Sequence, residues 1–339
     1  MAYNKFHVDS HRQLSPQRLW IIMIFLLFNA CHSKLENHLN PCFYHWKTSY
    51  HLTDFEKKYL QNHHVNKIYL HCFDIAMHDL LPKPRGVLIW NDSVDKKIKY
   101  IPTVFIENEV FKQIDSLAIQ QMAKNTLSLC TQILDAQQLT MQEIQIDCDW
   151  TESTRRNYFY FLNQLKKSGL TISATLRLYQ YKYRTASGIP PVDYVSLMCY
   201  NMGTLKKIQA ENSILNTNDL ANYLNVKTPY PMALNIALPI FHWTLLFQEQ
   251  HFKGILYQQP NVLNENWHRE TSMLYICTKE YYDTLCERIF LKNESVRIES
   301  ISKKQLNEAL STIQKKVNNT KNEIIYFDLD SNKISQCLY

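Results

Sequence analysis

Glycine is scarce in this chain, with five residues in 339. Neither G-x-G-x-x-G nor G-x-x-x-x-G-K-[ST] occurs, so the sequence lacks the glycine-rich turns that cradle dinucleotides and nucleoside triphosphates. C-x-x-C and H-E-x-x-H are also missing, which leaves a zinc site without local support; no metal or cofactor is expected. The formal net charge is a mild +6, and no tract of lysine and arginine is interleaved with aromatics, so nucleic acid is not an expected partner. A long apolar run is lacking too. The most continuous one, at 19–28, is shorter than a comfortable transmembrane helix.

That run is nonetheless informative, because it follows a largely polar segment carrying Lys5, Arg12 and Arg18, the arrangement of an export signal. It ends Leu27-Phe28-Asn29-Ala30-Cys31, which resembles the bacterial lipoprotein box, although Phe28 and Asn29 depart from its commonest form. The resemblance implies a signal peptide over 1–30, a tether over 31–41, and lipidation of Cys31 as the mature amino terminus. Membrane contact would then run through lipidated Cys31, in the bacterial cell envelope, at the outer rather than the inner membrane. The remaining cysteines, 42, 72, 130, 148, 199, 277, 286 and 337, are widely spaced, and several lie in strand-like apolar runs. They are expected mainly as buried thiols.

Beyond residue 42 the hydrophobic period switches repeatedly between two and 3.6 residues. Strands are predicted at 43–46, 65–73, 100–106, 143–150, 171–178, 194–200, 232–238 and 323–327. Helices are predicted at 53–62, where Thr53 and Glu56 form a capping box, and at 110–135, 153–167, 218–224 and 303–317. Pro82, Pro84 and Gly86 mark 76–99 as a connection, with one short strand at 87–90. From 252 to 297 the pattern is less legible and reads as an elaborated connection containing helices of unassigned position. Serial alternation without a break in composition predicts one α/β domain over 42–339, a (β/α)8 TIM barrel elaborated at 252–297, rather than an open sheet in two domains. Such a barrel would gather Glu107, Asp147, Asp149, Tyr200, Asn201, Asp328 and Asp330 at its carboxyl face.

The densest chemistry lies in Glu143-Ile144-Gln145-Ile146-Asp147-Cys148-Asp149-Trp150. Strand alternation sets both aspartates on one side, where two carboxylates are costly unless solvated, hydrogen-bonded or used. The plainer alternative is that they only anchor loops and helix ends. Ile144 to Thr151 resembles the fourth-strand D-G-x-D-x-D-x-E of the chitinase-like glycoside hydrolases: Asp147 and Asp149 match its second and third acids. Ile144, Gln145 and Thr151 replace the first acid, the glycine and the final glutamate. Downstream, Met198-Cys199-Tyr200-Asn201 resembles that family's M-x-Y-D, with Asn201 in place of the aspartate.

The resemblance implies that Asp149 positions the substrate's acetamido group, that Asp147 is its partner, and that Tyr200 helps to hold the substrate. It places the general acid at Thr151, whose hydroxyl cannot supply that proton. A working hydrolase would therefore pair Asp147 or Asp149 with Glu107, Asp328 or Glu152, or use the two aspartates as a coupled pair. Each has a structural alternative: helix starts for Glu107 and Glu152, and closure of the last turn for Asp328 and Asp330. Trp46, Trp90, Trp150 and Trp243 are candidate sugar platforms, with Asn201, Trp243 and Asp328 as substrate-binding residues. Trp150 is equally suited to core packing and Trp243 to rim packing, while His242 has no local partner to make it catalytic.

These features imply a glycoside hydrolase-like lipoprotein whose partner is a glycan or polysaccharide. Two other readings stand beside it: a non-catalytic carbohydrate-binding barrel, favoured by Thr151 and Asn201, and an envelope scaffold lipoprotein. An open groove at the strand ends would support the first two, and a plugged mouth with a large exposed apolar patch the third. Oligomeric state is left open by the sequence.

Overall fold

In a computed structural model, residues 39–79 and 81–339 are described; the expected signal peptide and Cys31 lie outside them. The principal sheet has nine strands. Eight are parallel: β1 (Asn40–His45), β2 (Lys67–His78), β3 (Lys99–Ile106), β4 (Glu143–Asp147), β5 (Thr171–Arg177), β6 (Tyr194–Met198), β7 (Leu234–Pro239) and β8 (Thr320–Phe327). Each pairs with its neighbours in chain order, and β1 pairs with both β2 and β8, so the sheet closes into the expected (β/α)8 barrel. β4 and β6 are buried at every position. Side chains fill the inside while helices cover the outside, which is why both faces of these strands are buried.

The surrounding helices are α1 (Asp54–Asn62), α2 (Ser116–Asp135), α3 (Arg155–Lys166), α4 (Leu178–Lys182), α5 (Thr217–Tyr223), α6 (Lys303–Lys316) and α7 (Ser331–Cys337). α1 starts at the Thr53–Glu56 capping box. The helix predicted over 110–135 is divided into a 3-10 turn, Asn108–Phe111, and α2, because the Asp115 side chain accepts from the Ala118 amide and starts a new helix. α3 buries Tyr158, Phe161, Leu162 and Leu165, as its periodicity predicts.

Among the described residues the β2-to-β3 connection contains no helix. Leu81–Arg85 instead folds back antiparallel on the end of β2, setting Arg85 opposite Asp74. Pro82 and Pro84 are tolerated there because this is an edge strand.

The barrel interior is a packed stack of polar and aromatic groups. At its amino-terminal end Glu143 accepts from Lys99 at 2.9 Å and from the Tyr194 hydroxyl, while Asn235 donates to Tyr69 at 3.0 Å and to Glu323 at 2.9 Å. Higher up, the Gln145 side chain accepts from Tyr44 at 2.7 Å and donates to Ser196 at 3.0 Å. Gln145, which stands where the chitinase-like pattern has glycine, thus fills the axis.

Between β7 and α6 lies a five-stranded antiparallel sheet made from Trp243–Gln248, His251–Leu256, Trp267–Arg269, Leu274–Cys277 and Ser295–Glu299, with a hairpin of Tyr281–Asp283 and Arg288–Phe290. Leu246, Trp267, Cys277, Phe290 and Val296 form its own small core. The elaboration begins at Trp243 rather than 252, and it contains strands where helices were expected. Several of its strands have only three or four residues, too few for a period to emerge. Of the described cysteines, all but the half-buried Cys286 are buried, and all are free thiols.

Candidate functional site

Asp147 is the last residue of β4 and retains 7% exposure. Its carboxylate accepts from the Thr175 hydroxyl, on the neighbouring β5, at 2.6 Å. Burial pushes its pKa up to about 6; the Thr175 hydrogen bond pulls it down, and the Asp149 charge raises it further. Asp149 stands two residues on, past the strand end. Arg177, at the end of β5, donates to both of its oxygens, from Nε and Nη2, at 2.5 Å each. This fork-to-fork geometry fixes both partners. Burial alone would favour neutral Arg177, yet the Asp149 hydrogen bond and charge hold the guanidinium protonated.

Tyr200 lies just beyond β6, buried, with its ring edge-on to Phe241 at 6.1 Å and tilted against Phe327 at 5.7 Å. Burial pushes its phenol well above the ordinary range, with Tyr44 and Asp147 adding to the effect. Asn201 follows in a left-handed conformation, φ 56°, which asparagine tolerates better than most residues. From this corner opens a groove of about 450 Å³, walled by Arg177, Tyr179, Tyr200, Asn201, Tyr223 and Trp243 among others.

Trp243 owes its place to the inserted sheet. Its indole Nε1 donates to Glu299 at 2.9 Å, and the same carboxylate accepts from the Ser213 amide and hydroxyl at 2.7 and 2.6 Å and from Arg297 at 2.6 Å. Ser213 closes the loop after β6 onto Gly203, whose amide donates to the Ser213 carbonyl at 3.2 Å. A Cβ on Gly203 would stand 2.8 Å from the Ser213 Cα, so the close approach requires glycine.

The other expected site residues lie in separate surroundings. Glu107 opens the 3-10 turn and accepts from Arg85 at 2.8 Å; Arg85 also reaches Asp74 at 3.4 Å, and Asp74 bonds His71 at 2.8 Å. Asp328 is buried against Lys333, and Asp330 caps α7 while accepting from Lys47 at 3.0 Å. Thr151 and Glu152 are exposed, with the Thr151 hydroxyl bonded to Ser153 at 2.9 Å. Trp150 is core: its Nε1 donates to the Ser187 carbonyl at 2.8 Å and its ring stacks on Tyr158. Trp90 donates to the Ile133 carbonyl at 2.8 Å on the outer layer, whereas Trp46 packs between His71 and Phe327, 4.7 and 5.4 Å between ring centres. His242 is half-buried, and burial together with Lys333 lowers its pKa.

Asp147, Asp149 and Tyr200 therefore meet at one corner of the barrel mouth, whereas Glu107 and Asp328 are each held by a cation of their own. Sequence reasoning missed Thr175 and Arg177, although their alternation at the end of a predicted strand was a usable signal. Nothing local marked Glu299. Among the described residues no three His, Cys, Asp or Glu side chains gather as a metal site.

No family model matches the chain, and no curated protein matches it. Similar solved structures include the spore cortex-lytic enzyme SleL of Bacillus cereus, at 15% identity and a TM-score of 0.49 over 86% of this chain and 71% of the other. A chitinase from Chromobacterium violaceum shows 11% identity and a TM-score of 0.46 over 88% and 99%. Human YKL-39, described as a pseudo-chitinase that retains chitooligosaccharide binding, shows 9% identity and a TM-score of 0.46 over 88% and 95%. These likenesses are of the fold alone.

Proposed function

We propose that this protein is a glycan-binding barrel that has lost hydrolytic chemistry. The observation that carries the reading is the Arg177 clamp on Asp149, together with a threonine at the acid position. Two-carboxylate glycoside hydrolysis needs a protonated acid and an ionised partner roughly 5 to 9.5 Å apart, both free to act. Asp149, Glu107 and Asp328 each sit against a cation that occupies carboxylate oxygens. Asp147 has no such partner among the described residues, and it is buried and bonded to Thr175; Glu152 has none either, but it is exposed beyond the strand end. Neither Asp147 nor Glu152 lines the groove, so the pair of acids that the reaction needs is not assembled there.

Binding needs less. Tyr179, Tyr223 and Trp243 offer aromatic faces to the apolar side of a sugar ring, and Asn201 offers amide donors and acceptors. Trp243→Ala is expected to weaken binding of a glycan-array hit about tenfold, measured by calorimetry. The wild type is expected to release no reducing ends from the same glycan. Turnover by the wild type that disappears in Asp147→Asn would make the non-catalytic reading wrong.

The amino-terminal pattern supports a cell-envelope location, with lipidated Cys31 as the anchor, outer rather than inner membrane. Metabolic labelling with an alkyne fatty acid in a bacterial host should mark the wild type and leave Cys31→Ala unlabelled. Equal labelling of both would exclude Cys31 as the lipidated residue.

A further inference from the structure

We infer that the groove beside Arg177 takes an anionic glycan, one bearing carboxylate or phosphate groups, and that Lys182 reads the charge; this rests on the glycan-binding reading above. The argument is one of charge balance around a single cavity. Arg177 lies in the wall, but its Nε and Nη2 are taken up by Asp149, so its charge is matched. Lys182, on the last turn of α4, is different. Its ammonium stands 5.6 Å from the ring centre of Tyr223, a groove residue, and 5.5 Å from that of Tyr183. Among the described residues no carboxylate lies within 4.0 Å of it.

The loop after β6, which supplies Leu205 to the groove, repeats the imbalance. Lys206 and Lys207 are exposed on the loop after β6 and, among the described residues, likewise form no ion pair. That loop is held in place, because the Lys207 carbonyl accepts from Arg297 and Ser213 is bonded to Glu299. On the acidic side, Asp149 is clamped, whereas Glu211, bonded only to the neutral Asn216 amide, and Asp219, on α5 with Tyr223, form no ion pair among the described residues, two carboxylates against the three lysines. The groove therefore combines aromatic faces in its walls with a surplus of cations on the segments that supply those walls.

A neutral sugar would use the aromatic faces and leave these ammonium groups in water at no cost. An acidic sugar would use both, with Lys182 already held against two rings and losing less freedom on binding than an unrestrained lysine. The basic rim thus discriminates by charge, and the discrimination should weaken with salt.

The test uses the full chain and matched oligosaccharides: tetragalacturonate, its neutral galactose counterpart, and the same neutral oligomer carrying a phosphomonoester. Affinities are measured by calorimetry at low salt and at high salt. The wild type is expected to prefer at least one acidic probe about fivefold or more over the neutral one at low salt, and less at high salt. In Lys182→Gln the acidic-to-neutral ratio should fall toward one, while Lys182→Arg retains it; circular dichroism confirms that both variants are folded. The better acidic probe tells carboxylate from phosphate recognition. Equal or tighter binding of the neutral oligomer would overturn the charge inference and leave glycan binding standing. Absence of binding to all three probes, and to a wider array of neutral and acidic glycans, would overturn both. A ratio unchanged in Lys182→Gln would remove Lys182 from the role.

Discussion

Glu299→Ala is expected to destabilise the protein by about 3–5 kcal/mol and to abolish ligand binding at the groove. Glu299 and Arg297 retain 0% and 1% exposure, and their ion pair is 2.6 Å long. Removing the carboxylate leaves a buried guanidinium whose remaining contacts are the carbonyls of the 204–208 loop and the Phe247 ring. It also strips the acceptor from the Trp243 indole and from both Ser213 donors at once. Urea unfolding followed by tryptophan fluorescence measures the first effect, and calorimetry with a glycan-array hit the second. Replacing both charges, with Arg297→Met and Glu299→Gln together, should recover much of the stability, because the penalty comes mainly from an unpaired buried charge. Recovery of stability without recovery of binding would follow from Trp243 being poorly oriented. A loss below about 1 kcal/mol in the alanine variant would show that water reaches the pair and that the inserted sheet does not hold the groove as described.

Asp147 should make folding stability fall as pH rises. Its carboxyl titrates at about 6 in the folded chain, against 3.8 for an unperturbed aspartate. Between those values the folded state keeps a proton that the unfolded state has released, so its contribution is greatest below about pH 4, shrinks through pH 6 and levels off above it. The gap of about 2 pH units, at about 1.36 kcal/mol each, amounts to roughly 3 kcal/mol. Other carboxyls, such as Asp330, which is held low by Lys47 and Lys333 despite burial, slope the opposite way. The informative quantity is therefore the difference between wild type and Asp147→Asn. Asparagine keeps an acceptor for Thr175 and has no charge to bury. The variant should match the wild type near pH 4 and exceed it by up to about 3 kcal/mol at pH 7.5, in paired urea melts. Parallel stability curves across that range would show that Asp147 is not desolvated in the folded chain.

Both results depend on features of unequal legibility. The strand carrying Asp147, though predicted three residues too long, the two aspartates on one side, Tyr200 after the sixth strand and the capping box at Thr53 could all be read, because a strand or helix imposes its period on a few neighbouring residues. The barrel followed from serial alternation with no break in composition, since parallel strands joined by helices have few ways to bury both faces. Tertiary structure decided the rest. Whether Asp149 is a free carboxylate or the partner of Arg177 depends on β4 and β5 lying side by side. Whether Trp243 faces a groove depends on Glu299, 56 residues away, being folded back by an antiparallel sheet with strands too short to announce themselves. Period and capping are properties of neighbours along the chain, whereas the ionisation and orientation of a side chain are set by whatever distant charge, hydroxyl or ring the fold places against it. The sequence therefore marked where the polar corner would be, and long-range pairing decided which of its acids are clamped and which is buried.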